Sequence, residues 1–182
     1  KVTSGVIVLA RSSIAAAELT RLFTAHQVEK FYLALSEKKA AKKQGWVKGD
    51  MAPARRKAWK LLNSQQNPAV TYFISQGFEQ LAFRAYLLKP FTGKTHQIRV
   101  ALKSLGAAII GDTLYQAHEA DRVYLHAFAM RFQLYGQTYQ YQCEPQSGSL
   151  FLQLLQTGAL SCWDKPWQLN WPDYQQPDNL NE

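Results

Sequence analysis

The residues with the clearest chemical potential share one stretch, Phe91-Thr92-Gly93-Lys94-Thr95-His96-Gln97-Ile98-Arg99-Val100, which runs on through Ala101-Leu102-Lys103-Ser104-Leu105-Gly106 to Gly111-Asp112-Thr113-Leu114-Tyr115. On a helix Ile98, Ala101, Leu102 and Leu105 fall on one face, and Arg99, about 100° round from Ile98, sits on its shoulder. A guanidinium half sunk there asks for a carboxylate or phosphate from elsewhere. The plainer alternative is that Arg99 lies along the surface with its head in water. Tyr32 is the second candidate. From Lys30 to Ser36 the period is two, so Phe31, Leu33 and Leu35 point one way and Lys30, Tyr32, Ala34 and Ser36 the other. A ring on that more polar face, beside small Ala34, is placed to meet a ligand, although a strand tyrosine is by default a packing residue. His126, between Leu125 and Ala127, reads as a hydrogen-bonded structural histidine.

Other chemistries find no support. The chain has no Gly-rich phosphate loop, His-Glu-x-x-His helix, Gly-x-Ser-x-Gly elbow or zinc spacing. Its 4 histidines are scattered without companion carboxylates, so neither a metal nor a cofactor is expected.

The elements that must position these side chains can be read in order. Val6-Ile7-Val8-Leu9 predicts a strand buried on both faces, and Ser12-Ser13 cap a helix to about Ala25 with Ile14, Ala17, Leu22 and Phe23 inward. After the Lys30–Ser36 strand comes a basic segment to Lys60, punctuated by Gly45, Gly49 and Pro53. Strands follow at about 69–75 and 80–88, then the Thr92-Gly93 turn and a helix from about Thr95 to Leu105 stopped by Gly106. A hairpin of 123–134 and 138–143 turns at Tyr135-Gly136-Gln137, and Leu150–Leu155 forms a last helix stopped near Gly158. The tail, 160–182, carries Trp163, Trp167 and Trp171 and is expected to pack across the body. Strands outnumber helices without alternating with them, which predicts an α+β fold with a mainly antiparallel or mixed sheet.

Composition narrows the class of partner. A chain of 182 residues, 47% hydrophobic, suffices for one domain with a real core. No run approaches the roughly 18 apolar residues that span a bilayer, and the expected setting is cytoplasmic, as a monomer. Two cysteines, Cys143 and Cys162, are too few for a disulfide framework. The net charge of +8 is local: residues 1–60 hold 13 Lys/Arg against 4 Asp/Glu. Lys38, Lys39, Lys42 and Lys43 form one cluster, and Arg55, Arg56, Lys57 and Lys60 another. Such clusters are the footprint of a polyanion site, with nucleic acid the leading partner.

At this point a resemblance declares itself. Gly93-Lys94-Thr95-His96-Gln97-Ile98-Arg99-Val100, with Leu105-Gly106 and Gly111-Asp112-x-x-Tyr115, closely resembles the signature of the RluA-type family of RNA pseudouridine synthases. Lys30-Phe31-Tyr32-Leu33-Ala34-Leu35 looks like the family's Lys-x-Tyr-x-Ala-x motif, and Arg122-Val123-Tyr124-Leu125-His126-Ala127 like its Leu-His-Ala strand. Thr3-Ser4-Gly5-Val6 matches the end of its His-Arg-Leu-Asp-x-x-Thr-Ser-Gly motif. These motifs keep the family's order over residues 1 to about 143.

The resemblance implies a catalytic domain, with the nucleophilic Asp expected immediately ahead of Lys1, so that the chain reads as incomplete at its front. It implies a salt bridge from that Asp to Arg99, an ionised carboxylate oriented for attack, and Tyr32 stacked on the extruded uracil. Lys94, Thr95, His96 and Gln97 at the helix start, with Lys30, are implied as substrate contacts, and Leu125 as a wall of the base pocket. For His96 a purely structural role at the helix entry stands beside this. The basic clusters imply a grip on the RNA backbone. The reaction, without cofactor or metal, would isomerise uridine in rRNA or tRNA by breaking the N-glycosidic bond, turning the base and rejoining it through C5. Two departures concern RNA choice: Ala101 stands where the family commonly has His, and Ala107-Ala108 where it has His-Pro. The alternative reading is a non-catalytic RNA-binding or ribosome-assembly protein on the same scaffold; a hydrolase using His96 or His126 as base ranks last for want of a nucleophile.

Overall fold

A computed structural model describes residues 3–174. The expected nucleophile ahead of Lys1 and the last eight positions of the tail lie outside the described residues. The architecture is α+β. Twelve elements follow in chain order: β1 (Ser4–Gly5), α1 (Ser13–Thr24), β2 (Glu29–Ser36), β3 (Gln44–Gly49), β4 (Met51–Pro53), β5 (Trp59–Leu61), β6 (Ala69–Gly77), β7 (Arg84–Pro90), α2 (Gln97–Ser104), β8 (Leu125–Leu134), β9 (Gln137–Gln142) and α3 (Ser149–Gln156).

The main sheet runs β1-β8-β2-β7-β6-β3, with β9 also on β8, and β4-β5 form a separate small hairpin. Only β1 pairs in parallel, through Ser4↔His126 and Gly5↔Ala127; every other pairing is antiparallel. The strands β2 and β7 lie at the centre, and Phe31, Leu33, Leu35, Leu87 and Leu88 are fully buried there with Leu102 of α2 and Phe151 and Leu154 of α3. Burial on both faces explains why β7 reads as a continuous apolar run rather than an alternation.

The segment Val6–Leu9 corrects the expectation of a core strand. Pairing with β8 ends at Gly5 and the Val6 N–H bond to the Ala127 carbonyl, after which Val6 and Val8 pack against a minor cluster of Leu22, Val28, Met130 and Phe132. Ile7 and Leu9 are 68% and 77% exposed. Among the described residues no strand pairs with this segment beyond Val6. The helix α1 is capped as expected, Ser12 accepting from the Ala15 N–H. Its inward face is Leu19 and Leu22, however; Ile14 is 71% exposed and Phe23 38%. Such a helix, lying over the sheet edge, has only a narrow stripe to bury.

The end of α2 is built as the sequence predicts. Gly106, at φ 73°, donates to the Lys103 carbonyl while the Ala107 N–H reaches back to Leu102, the paired bonds of a Schellman termination. Ala107 and Leu102 are both fully buried, and Ala101 packs in the same core. Small apolar side chains at 101 and 107 therefore serve packing. Past α3, Trp163 is buried and Trp171 packs on Phe31 and Tyr72, at 5.6 and 6.0 Å between ring centroids.

Candidate active site

Arg99 leaves the first turn of α2 and is 7% exposed, less than the half-burial its helical position suggested. Its partner is Asp112, itself 1% exposed: Nε donates to Oδ2 at 2.7 Å and Nη2 to Oδ1 at 2.6 Å. This is a two-point fork that fixes the plane of the guanidinium as well as its position. The ring of Tyr115 lies 4.8 Å from Cζ, a cation–π contact on the guanidinium face. Nη1 hydrogen-bonds to no described residue, and Arg99 lines an open cleft. One edge of the cation is thus spent on the fold and another remains for a ligand.

The carboxylate demanded by Arg99 was expected from the front of the chain; within the described residues it comes from Asp112. The sequence offered it only as a member of the Gly111-Asp112-x-x-Tyr115 signature, without a role. Gly111 makes the approach possible. At φ 78° it brings the chain so close to Arg122 that an added Cβ would lie 1.9 Å from the Arg122 carbonyl oxygen. No other residue fits that crossing.

The cleft, about 420 Å³, is lined by Thr3, Phe23, Lys30, Tyr32, Pro90, Thr92, Gly93, Lys94, His96, Gln97, Ile98, Arg99 and Leu125. The fold thus brings together Arg99, Tyr32, Lys30, Lys94, His96, Gln97 and Leu125, contributed by α2, β2, the turn before α2 and β8. A bulge between Phe31 and Tyr32, where the pairing with β8 slips, gives Tyr32 its half-buried position at the cleft. Burial pushes the Tyr32 phenol up and the Lys30 ammonium down. Thr95 lies elsewhere: with Asp50, Met51, Trp59, Gln66 and Asn67 it lines an adjoining hollow that meets the cleft at Gly93 and Lys94.

Gln97 is committed to the scaffold although it lines the cleft. Its Oε1 accepts from Thr92 Oγ1 at 2.8 Å and the Lys94 N–H at 2.9 Å, and its Nε2 donates to the Val70 carbonyl and Thr71 Oγ1, each at 3.0 Å. All four hydrogen-bonding capacities of the amide are used. Gln97 is therefore the latch that ties the turn at Thr92–Lys94 to β6. His96, at φ 58°, precedes α2 and gives its carbonyl to the Val100 N–H. Its Nδ1 lies 3.0 Å from the Tyr115 hydroxyl, which accepts the Trp59 N–H at 3.1 Å. Tyr115 thereby joins the entry of α2 to the β4–β5 hairpin. Burial first, then the neighbouring Arg99 charge, lowers the His96 pKa, partly opposed by Asp112.

His126 has the structural role its place in a strand suggested. Nε2 donates to the Cys143 carbonyl at 2.8 Å, and Nδ1 meets Ser4 Oγ at 2.8 Å, itself held by Arg122 Nη2 at 2.6 Å. Burial lowers its pKa, the Cys143 bond opposes this, and Arg122 adds to the lowering. A neutral ring thus links β1 to β8. The folded form binds fewer protons than the unfolded chain, so this contribution is present above the ordinary histidine value of 6.5 and is lost as pH falls toward the lowered folded pKa. Acidification from pH 7 to 5 should therefore lower the thermal midpoint, and His126→Gln should flatten that slope; an unchanged slope would remove His126 as its source.

No residue of either basic cluster lines the cleft. Lys39, Lys42 and Lys43 are exposed on the β2–β3 connection and Lys57 on the turn at Arg55–Lys57, while Lys38 edges a shallow hollow with Lys103 and His118. Arg55, Arg56, Lys60 and Lys103 line a groove of about 990 Å³ with Trp59 and Tyr115. This is roomier than the cleft, but Arg99, Tyr32 and Lys94 do not line it. The Tyr115–His96 pair separates the two.

A mixed sheet carries a buried Arg–Asp fork, and its guanidinium shares one open cleft with a strand tyrosine. The comparisons identify the family. A family model described as RNA pseudouridylate synthase matches residues 1–104, more than half of the chain. An uncharacterized RNA pseudouridine synthase of Haemophilus influenzae is 47% identical over 154 residues, covering 84% of this chain and 68% of that protein. The dual-specificity RNA pseudouridine synthase RluA of Escherichia coli is 34% identical over 132 residues, 69% of this chain and 60% of that protein. The solved structure of human RNA pseudouridylate synthase domain containing 4 shares the fold, with a TM-score of 0.67 at 22% identity over 85% of this chain and 71% of that one. The chain belongs to the RluA-type RNA pseudouridine synthase family, whose members are isomerases acting on RNA. It spans 37% of an Aquifex aeolicus relative that is 32% identical.

Proposed function

We propose that the described body is the catalytic centre of a pseudouridine synthase that isomerises specific uridines of rRNA or tRNA. The observation that carries this reading is the Arg99 guanidinium, anchored by Asp112 on two nitrogens, with Nη1 uncommitted among the described residues, in one cleft with Tyr32 and Thr3. The family's aspartate lies three residues ahead of Thr3, and three residues of extended chain span about 10 Å. Thr3 and Arg99 line the same cleft, which supports a pairing of that carboxylate with the guanidinium. Held by a fixed cation, it remains ionised and aimed.

In this reading the uracil enters against the Tyr32 ring and Leu125, replacing the stacking it loses when it leaves the RNA. The N1–C1′ bond breaks, the base turns while still held, and C5 joins C1′; the proton lost from C5 is balanced by one gained at N1. Atoms balance without a co-reactant. Around the cleft Lys30 and Lys94 make the field positive, the Arg99 charge being matched by Asp112, and the basic segment from Lys38 to Lys60 extends it along the RNA backbone. The protein acts, on this reading, as a cytoplasmic monomer without a metal.

The test is to incubate the intact protein with unmodified rRNA and tRNA and locate pseudouridine by carbodiimide labelling and primer extension. New modification at discrete uridines is expected; none with any cellular RNA would favour an RNA-binding scaffold protein instead. Two further outcomes are expected in RNA binding. Tyr32→Phe should keep the affinity and Tyr32→Ala weaken it about 10-fold, the worth of one base–aromatic stack; equal affinities would remove Tyr32 from the base. Raising salt from 50 to 200 mM should weaken wild-type binding steeply, and neutralising Arg55, Arg56 and Lys57 together should make the log–log slope shallower by about 2 to 3. An unchanged slope would take this cluster off the phosphates.

A further inference from the structure

Phe23 belongs to neither buried cluster although it is a large apolar side chain on α1, and it is 38% exposed at the wall of the cleft that holds Tyr32. The Lys30 ammonium lies 5.8 Å from the centre of its ring and lines the same cleft. His26 stands near enough to both Lys30 and Lys94 for their charges to lower its pKa, after burial. An aromatic face beside a cation, in a site read as taking a base at Tyr32, matches one neighbouring nucleotide: its base has a ring to lie on and its phosphate a positive charge to meet.

We propose that Phe23 and Lys30 form a second nucleotide subsite, in which the base flanking the target uridine stacks on Phe23. The idea rests on the pseudouridine synthase reading and deepens it. Once the uridine is extruded, its neighbour has lost a stacking partner, and Phe23 supplies one at the rim where the strand must pass. Selectivity there follows stacking strength rather than hydrogen-bond pattern, so a purine should be preferred over a pyrimidine. The core loses nothing by this placement, because Phe23 contributes to neither cluster.

The experiment uses the intact protein and hairpin oligoribonucleotides with a loop uridine flanked on its 5′ or 3′ side by 2-aminopurine, with a non-isomerisable uridine analogue at the target for the binding measurements. Binding to wild type should quench the fluorophore on one side of the target. Phe23→Ala should abolish that quench and weaken binding about 10-fold, raise KM on the reactive hairpin by a similar factor, and leave kcat within about two-fold. Phe23→Trp should restore both and Phe23→Leu neither, which separates a stack from simple apolar packing. Quenching that survives Phe23→Ala, or full rescue by leucine, would overturn the proposal. Quenching works without turnover, so failure of the subsite and failure of the catalytic reading are distinguishable.

Discussion

Replacing Asp112 by alanine should cost about 3–5 kcal/mol of folding stability, the usual penalty for stripping a buried charge of the partner that holds it, here the one ionic partner of Arg99 among the described residues, and should abolish pseudouridine formation as well. The reasoning follows from burial. Arg99 and Asp112 are 7% and 1% exposed, so the surviving guanidinium could not recover its hydration without rearranging α2 against the turn at Thr113–Tyr115. Asp112→Asn keeps the shape and one acceptor but not the charge, and should fall between. The double replacement Arg99→Met with Asp112→Leu should recover most of the stability, since a buried pair is seldom worth more than well-packed apolar groups, while remaining inactive. Urea denaturation followed by circular dichroism checks the first arm and primer-extension mapping the second. If Asp112→Ala unfolds at the wild-type urea midpoint, the fork is not the anchor described here.

Arg99→Ala should lower turnover by at least about 10²-fold, the scale set by removing one preorganised charge-stabilising donor from an active site. RNA affinity should stay within a few-fold of wild type, because the guanidinium is held by a carboxylate and its remaining edge serves the nucleophile rather than phosphate. Arg99→Lys is the more telling variant. A lysine retains the charge but cannot satisfy both Asp112 oxygens while presenting a third nitrogen, so it should fold better than the alanine variant and still be nearly inactive. Gel-shift titration alongside single-turnover assays separates binding from chemistry. Wild-type turnover by Arg99→Ala, or a parallel loss of affinity and rate, would move Arg99 out of this role.

These two residues also mark the division between local and tertiary information. The amino-acid sequence by itself specified α2, its stop at Gly106, the β8–β9 hairpin, the placement of Tyr32 on a strand and Arg99 on a buried shoulder, because each depends on periodicity, capping or turn chemistry within a few residues. Motif order carried the family. It also determined that Arg99 needed an anion, since a cation near a core face is costly wherever the chain goes next. What it could not assign was the partner: Asp112 lies 13 residues on, and only the crossing of Gly111 past Arg122 brings its carboxylate to the guanidinium. Val6–Leu9 and Phe23 erred for the same reason in reverse. Their apolarity was plain, but whether an apolar side chain is covered depends on where neighbouring strands end, and β8 offers β1 only two residues of pairing. Gln97 shows the remaining limit. Its chemistry suits a substrate contact or a latch equally, and only Thr92, Val70, Thr71 and the Lys94 amide, converging from β6 and the turn, decide for the latch.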